Sequence, residues 1–105
     1  MKRVFISGPY TALSEEERQK VVELATKVAA QYMTMGYSPY VPHLIFPQIQ
    51  KVRQFTYAEI MKCCINEIKD REIVAFLPGW ENSKGASIEH MVACALGKEI
   101  EYVRE

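Results

Sequence analysis

The chain has 105 residues, 49% of them apolar and 25% charged, a composition that fits one domain over residues 1–105 with one core and leaves no room for a second. Thirteen basic residues balance thirteen acidic ones, so no basic field argues for nucleic acid or an anionic membrane surface as partner. The longest apolar stretches fall far short of the roughly 20 residues of a membrane span, and three cysteines, two of them adjacent at Cys63 and Cys64, form no disulfide framework and favour a reducing, cytoplasmic compartment.

Val4-Phe5-Ile6 is a short, wholly apolar run, as expected of a strand buried on both faces of a parallel sheet. With Met1-Lys2-Arg3 before it, the apolar part is too short for a signal peptide, and the segment reads as a first strand. Ser7-Gly8-Pro9-Tyr10 breaks it. Ser14 followed by Glu17 forms a capping box. The helix it opens carries Val21, Leu24, Ala25, Val28, Ala29 and Tyr32 on one stripe and stops at Gly36. Tyr37 to Val41 reads as a second strand closed by Pro42. His43 to Phe55 reads as a loop, because Pro47 is foreign to a helix interior, and as a lid over a site. Tyr57 to about Ile68 is a second helix with Ile60, Met61, Cys64, Ile65 and Ile68 on its face. Glu72 to Leu77 is the clearest strand and ends at Pro78-Gly79. Trp80 to Lys84 is a polar loop. A third helix then begins near Ala86, with Ile88, Met91, Val92, Ala95 and Leu96 on the expected buried stripe and Gly97 as its stop. Ile100 to Val103 has the look of an edge strand between charges. Strands alternating with helices predict an α/β fold with a mostly parallel sheet of four or five strands and right-handed crossovers.

In open α/β sheets, ligands bind beyond the carboxyl ends of the strands. That rule selects the loops after the first and third strands. The second of these, from Pro78 to Glu89, has the parts of an anion site: Gly85, Ala86 and Ser87 at a helix start, the hydroxyls of Ser83 and Ser87, and the cation of Lys84. It is not a P-loop, because the Gly-Lys order is different. The alternative is a solvated loop with an ordinary helix cap. Glu89 lies at the edge of the apolar stripe, where a held and partly desolvated carboxylate acts as nucleophile or base. Its alternative role is to complement the helix dipole. Trp80 and Tyr10 are aromatic residues just past strand ends that would stack on a base or pack locally. His43 would touch a ligand or pack its loop, and His90 is expected on the solvent side of its helix. Cys64 reads as a small core residue, and without a CxxC pair no zinc site is expected.

Two segments carry a family resemblance. Ile6-Ser7-Gly8-Pro9-Tyr10 after the first strand, and Leu77-Pro78-Gly79-Trp80 through Ser83-Lys84-Gly85-Ala86 and Glu89 to Ala95-Leu96-Gly97-Lys98, resemble the N- and C-terminal motifs of nucleoside 2-deoxyribosyltransferase-like proteins, most closely the small DUF4406-type members. The resemblance covers nearly the whole chain.

It implies a flavodoxin-like, Rossmannoid three-layer sandwich and cleavage or exchange of the N-glycosidic bond of a nucleoside or nucleotide. It implies Glu89 as the nucleophile on the anomeric carbon and Ser83, with the glycine-rich helix start at Gly85, around a 5′-phosphate, where Lys84 would add charge. Gly8, Pro9, Tyr10, His43, Trp80 and Ser87 complete the expected ligand set. No metal and no cofactor is implied, and a homodimer or higher homo-oligomer is. The leading expectation is a nucleoside 5′-monophosphate N-glycosidase; a deoxyribosyltransferase and a non-catalytic nucleotide-binding module are the alternatives. The chain departs from active relatives at two positions: Phe5 stands where they carry a tyrosine that orients the glutamate, and Cys64 where they carry an aspartate. On this reading Tyr10 or His43 would take over.

Overall fold

A computed structural model describes residues 2–104. The elements run β1 (Arg3–Ser7), α1 (Glu15–Thr34), β2 (Ser38–Tyr40), α2 (Pro42–Val52), α3 (Tyr57–Lys69), β3 (Ile73–Phe76), a single 3₁₀ turn (Trp80–Asn82), α4 (Lys84–Ala95) and β4 (Glu99–Tyr102). The four strands form one sheet in the order β2-β1-β3-β4. Every pair is parallel, with Phe5 opposite Tyr40 and Val74, and Val74 opposite Ile100. The expectation of an α/β fold with a mostly parallel sheet of four or five strands therefore holds, with four strands observed, and β4 lies at an edge as its flanking charges suggested.

Side chains alternate across a strand, and the two halves of the core follow that alternation. Val4, Ile6, Ile73, Ala75 and Leu77 pack under the Ala25, Val28, Ala29 and Tyr32 stripe of α1. Phe5, Val74 and Phe76 pack on the opposite face with Cys64 and Ile68 of α3 and Ala93 of α4. The result is a three-layer sandwich. Phe5, Ile6 and Phe76 are fully buried, and side chains of this size each contribute about 1.5–3 kcal/mol on leaving water. Ser7 shares the face of Phe5 and so points to the α3–α4 side of the sheet.

The first helix opens at its expected cap, and α3 is capped in the same way. Ser14 and Thr56 each cap a helix and are capped in return by Glu17 and Glu59. Gly36 follows the end of α1 at a φ of 85°, the left-handed conformation that closes a helix at little cost for glycine.

Two expectations are corrected. Residues 42–52 are helical, not a loop. Pro42 occupies the first helical position, where a missing N–H costs nothing, and Pro47 lies inside the helix, where it gives up the hydrogen bond to the carbonyl four residues earlier. The stripe that decides the matter is His43, Phe46, Pro47 and Gln50, spaced as one helical face and turned inward. The second correction concerns α4. Its buried residues are Ala86, Glu89 and Ala93, whereas Met91 and Leu96 of the expected stripe are 67% and 50% exposed. Small residues let the helix approach the sheet closely, and that geometry overrode the larger apolar side chains. Among the described residues, no helix is long and apolar enough to cross a membrane.

Candidate active site

Past the carboxyl ends of β1 and β3 the chain encloses a cavity of about 470 Å³. Ile6 and Ser7 close its base. Gly8, Tyr10 and Thr11 of the β1–α1 loop form one side, the inward face of α2 the next, and Tyr57, Ile60, Met61 and Cys64 of α3 the third. The start of α4 completes the ring with Ser83, Gly85, Ala86 and Glu89. Space is short at two of these places, and at Gly8 it excludes a side chain. A Cβ on Gly8 would lie 2.9 Å from Leu77 Cβ, and one on Gly85 would press on the Tyr57 hydroxyl at 3.3 Å.

Among the described residues, Glu89 is the one charged side chain in this wall, and it is 6% exposed. Lying three residues after Ala86 and four before Ala93, it sits on the buried face of α4 and not at its edge. The Ser7 hydroxyl donates to its Oε1 at 2.6 Å. Burial pushes its carboxyl up to about 7, against the pull of the Ser7 hydroxyl and the Cys64 thiol, both of which favour the anion. Burial, and then the neighbouring Glu89 charge, hold the Cys64 thiol well above the usual thiol range, so it stays protonated. Burial also raises the Tyr57 phenol, with Glu89 adding to the shift.

His43 is buried and joins two walls. Its Nε2 lies 3.1 Å from the Pro9 carbonyl, an acceptor, so Nε2 carries the proton. Its ring meets Tyr10 edge-on at 5.7 Å. Burial depresses its basicity, partly offset by the Pro9 and Gly8 carbonyls, and keeps the ring neutral. Its Nδ1 is buried without a hydrogen-bond partner. The Gln50 amide is committed to the backbone of Phe55 through both its atoms, which pins the α2–α3 connection against the cavity.

At the α4 start, Ser83 is the N-cap and its Oγ accepts from Ala86 N at 3.3 Å. The other N–H groups of that first turn have no acceptor inside the helix, and the dipole makes this end attractive to an anion.

Of the residues singled out in the sequence, the cavity wall brings together Gly8, Tyr10, His43, Ser83, Gly85 and Glu89. Pro9 supports it from behind through its carbonyl. Lys84 stands outside the wall, with its Nζ 5.6 Å from the centre of the Tyr57 ring. The Ser87 hydroxyl faces away, toward the carbonyls of Trp80 and Glu81. Trp80 is also elsewhere: it stacks on His90 at 4.2 Å and near-parallel on Tyr102 at 5.9 Å. His90 is therefore half-buried in an aromatic stack, with Nε2 2.8 Å from the Tyr102 hydroxyl, and not on the solvent side. Neither Tyr10 nor His43 is hydrogen-bonded to Glu89; Ser7 is. Phe5, in the register position discussed above, stacks on Tyr40 in the core.

Ser7 and the α2 wall are the functional residues that the sequence reading missed. Ser7 passed as a strand breaker, although a hydroxyl on the face of Phe5 at the end of a buried strand is a signal in itself. Phe46 and Gln50 were hidden by the assignment of their segment to a loop. Among the described residues, no three His, Cys, Asp or Glu side chains converge as a metal site would require.

The family model described as "Domain of unknown function (DUF4406)" matches residues 2–102. Among solved structures, a 2-desoxiribosyltransferase from Leishmania mexicana has the same fold, with a TM-score of 0.68 at 19% identity over 97% of this chain and 63% of that one. The chain thus spans less than two thirds of that protein's length. No curated protein sequence matches.

Proposed function

The chain belongs to the DUF4406 family, and on that premise we propose that it is an N-glycosidase that hydrolyses the base–sugar bond of (deoxy)nucleoside 5′-monophosphates through Glu89. One observation carries the reading: a carboxylate, almost fully desolvated and held by one oxygen, faces a cavity at the strand ends where α/β folds bind ligands.

The chemistry follows from that placement. The Glu89 carboxylate adds to the anomeric carbon as the bond to the base nitrogen breaks. The base leaves with the bonding pair and takes a proton, and water then cleaves the glycosyl ester to restore the carboxylate. Positive charge develops on the sugar in both steps, and a nearby carboxylate in a low-dielectric cavity stabilises it. Tyr10, Phe46, Phe55 and Tyr57 supply flat apolar surface for the base. The free N–H groups of the α4 start, with Ser83, Gly85 and the nearby Lys84, suit a 5′-phosphate. Glu89 must be ionised to attack, so the rate should rise with pH through about 7.

A second reading has an observation of its own. Among the described residues, no Lys or Arg lines the cavity, which suits an uncharged nucleoside and transfer of its sugar to a second base. A module that binds nucleotide without turning it over is the third. A cytoplasmic location and a homodimer or larger homo-oligomer belong to the same proposal, the latter supported by the exposed Met91 and Leu96.

The test is a thermal-shift screen of nucleosides and their 5′-monophosphates, with each stabilising compound incubated and free base measured by chromatography. Ligand at 100 times its Kd stabilises by about 2.7 kcal/mol, so moderate binders register. Base release from a monophosphate, lost in Glu89→Ala with ligand-induced stabilisation kept, is the expected result. Turnover unchanged in that variant would sink the reading. Release that needs an added acceptor base would favour transfer, and stabilisation without product the binding module.

A further inference from the structure

We infer that Ser7 is the positioning residue of this site: its hydroxyl fixes Glu89 by one oxygen and leaves the other for the substrate. The inference rests on the glycosidase reading for its catalytic part alone.

The geometry is specific. Ser7 closes β1 on the face that looks toward α3 and α4, and it is 1% exposed. Glu89 reaches it from the buried face of α4, and the Oγ–Oε1 separation of 2.6 Å is that of a short O–H···O⁻ bond to a carboxylate. The two residues are 82 positions apart in the chain, so the contact ties the first strand to the last helix across the mouth of the sheet. Because the hydroxyl engages Oε1, the two oxygens are no longer equivalent, and Oε2 is the one left to meet a ligand.

The elements packed around Glu89 offer no competing anchor of comparable strength. The β1–α1 loop offers Tyr10, α2 offers the neutral His43, and α3 offers Tyr57 and the protonated Cys64. None of these is a cation, and α4 itself places no other charged group in the cavity wall. The Cys64 thiol leans on Glu89 as a weaker donor. A short hydrogen bond is thus the strongest interaction that favours the carboxylate over the carboxylic acid. A serine that merely filled the core would have no need of a partner that is itself costly to bury; alanine would serve.

The experiment separates this role from the glycosidase reading by measuring the carboxyl itself. Protein labelled with ¹³C at Glu Cδ is titrated by NMR, in the wild type and in Ser7→Ala and Ser7→Thr. Losing a bond that favours the anion raises the Glu89 midpoint, so Ser7→Ala should move it up by about one pH unit. The acid limb of the pH–rate profile should move with it, and kcat should fall about tenfold or more with KM changed less than about twofold, because orientation of the nucleophile is lost and not binding. Ser7→Thr, which keeps the hydroxyl, should restore both, and melting curves report whether its extra methyl is accommodated. If Thr over-packs the strand, Cys64→Ser replaces it: a stronger donor on α3 should lower the midpoint in the Ser7→Ala background. An unmoved midpoint in Ser7→Ala overturns the inference, as does a kcat loss without a shift in the acid limb. If the wild type releases no base from any nucleotide, the glycosidase reading falls, while a shifted midpoint still establishes that Ser7 governs Glu89.

Discussion

Two clusters flank the end of β3, each with a residue expected to meet a ligand, yet they are opposites. In the cavity, polar atoms converge on open space: Glu89 is buried with one oxygen held, and His43 Nδ1 is buried with no partner. In the aromatic cluster, ring faces are already used. Trp80 lies on His90, Phe76 meets both, and His90 Nε2 is paired with the Tyr102 hydroxyl. A satisfied cluster stabilises; an unsatisfied one is ready for a ligand. Two successive residues of α4, Glu89 and His90, go to different clusters because neighbouring positions on a helix diverge by about 100°.

The largest effect that would break this contrast is in Glu89→Gln. Turnover should fall by about a thousandfold or more, since the amide is no nucleophile. Stability should move the other way. The folded-state carboxyl titrates at about 7 against an ordinary 4.5, so the protonated form is favoured by folding. That contribution is complete below pH 4.5 and is lost as pH rises through 7. At pH 8 the variant should therefore be more stable than the wild type by about 3 kcal/mol, with the gap closing near pH 4. Denaturant unfolding at the two pH values decides the matter, and equal gaps would mean that Glu89 is not desolvated.

The next effect belongs to the other cluster. Trp80→Ala removes a half-buried ring stacked on two others and should destabilise by about 2 kcal/mol. Nucleotide affinity of the folded protein, measured by calorimetry, should stay within about twofold. A tenfold loss would return Trp80 to the ligand site.

The smallest effect sharpens the substrate class. Lys84→Ala leaves the cavity wall intact and removes a solvent-screened cation near the α4 start. Kd for a monophosphate should rise by about threefold while that of the matching nucleoside is unchanged. Identical effects on both would argue that no phosphate sits at that end.

The chain itself determined the alternation of strands and helices, the parallel sheet and the start of the first helix. Those rest on local signals: the buried run Val4-Phe5-Ile6, the box at Ser14, the glycine stop at Gly36. It also pointed to Glu89 and to the loop before it. Local pattern misjudged α2, because Pro47 counted against a helix whose inward stripe only a facing wall makes visible. It rotated α4, because apolar size suggested Met91 and Leu96 as the inner face when close approach to the sheet selected Ala86, Glu89 and Ala93. Which residue holds the carboxylate was decided by tertiary structure alone. The Ser7–Glu89 bond joins residues 82 apart, and no periodicity within either segment encodes it. The sheet brings the end of one strand against the buried face of a helix from the far end of the chain, and only there does a hydroxyl that looked like a strand breaker become the partner of a desolvated carboxylate.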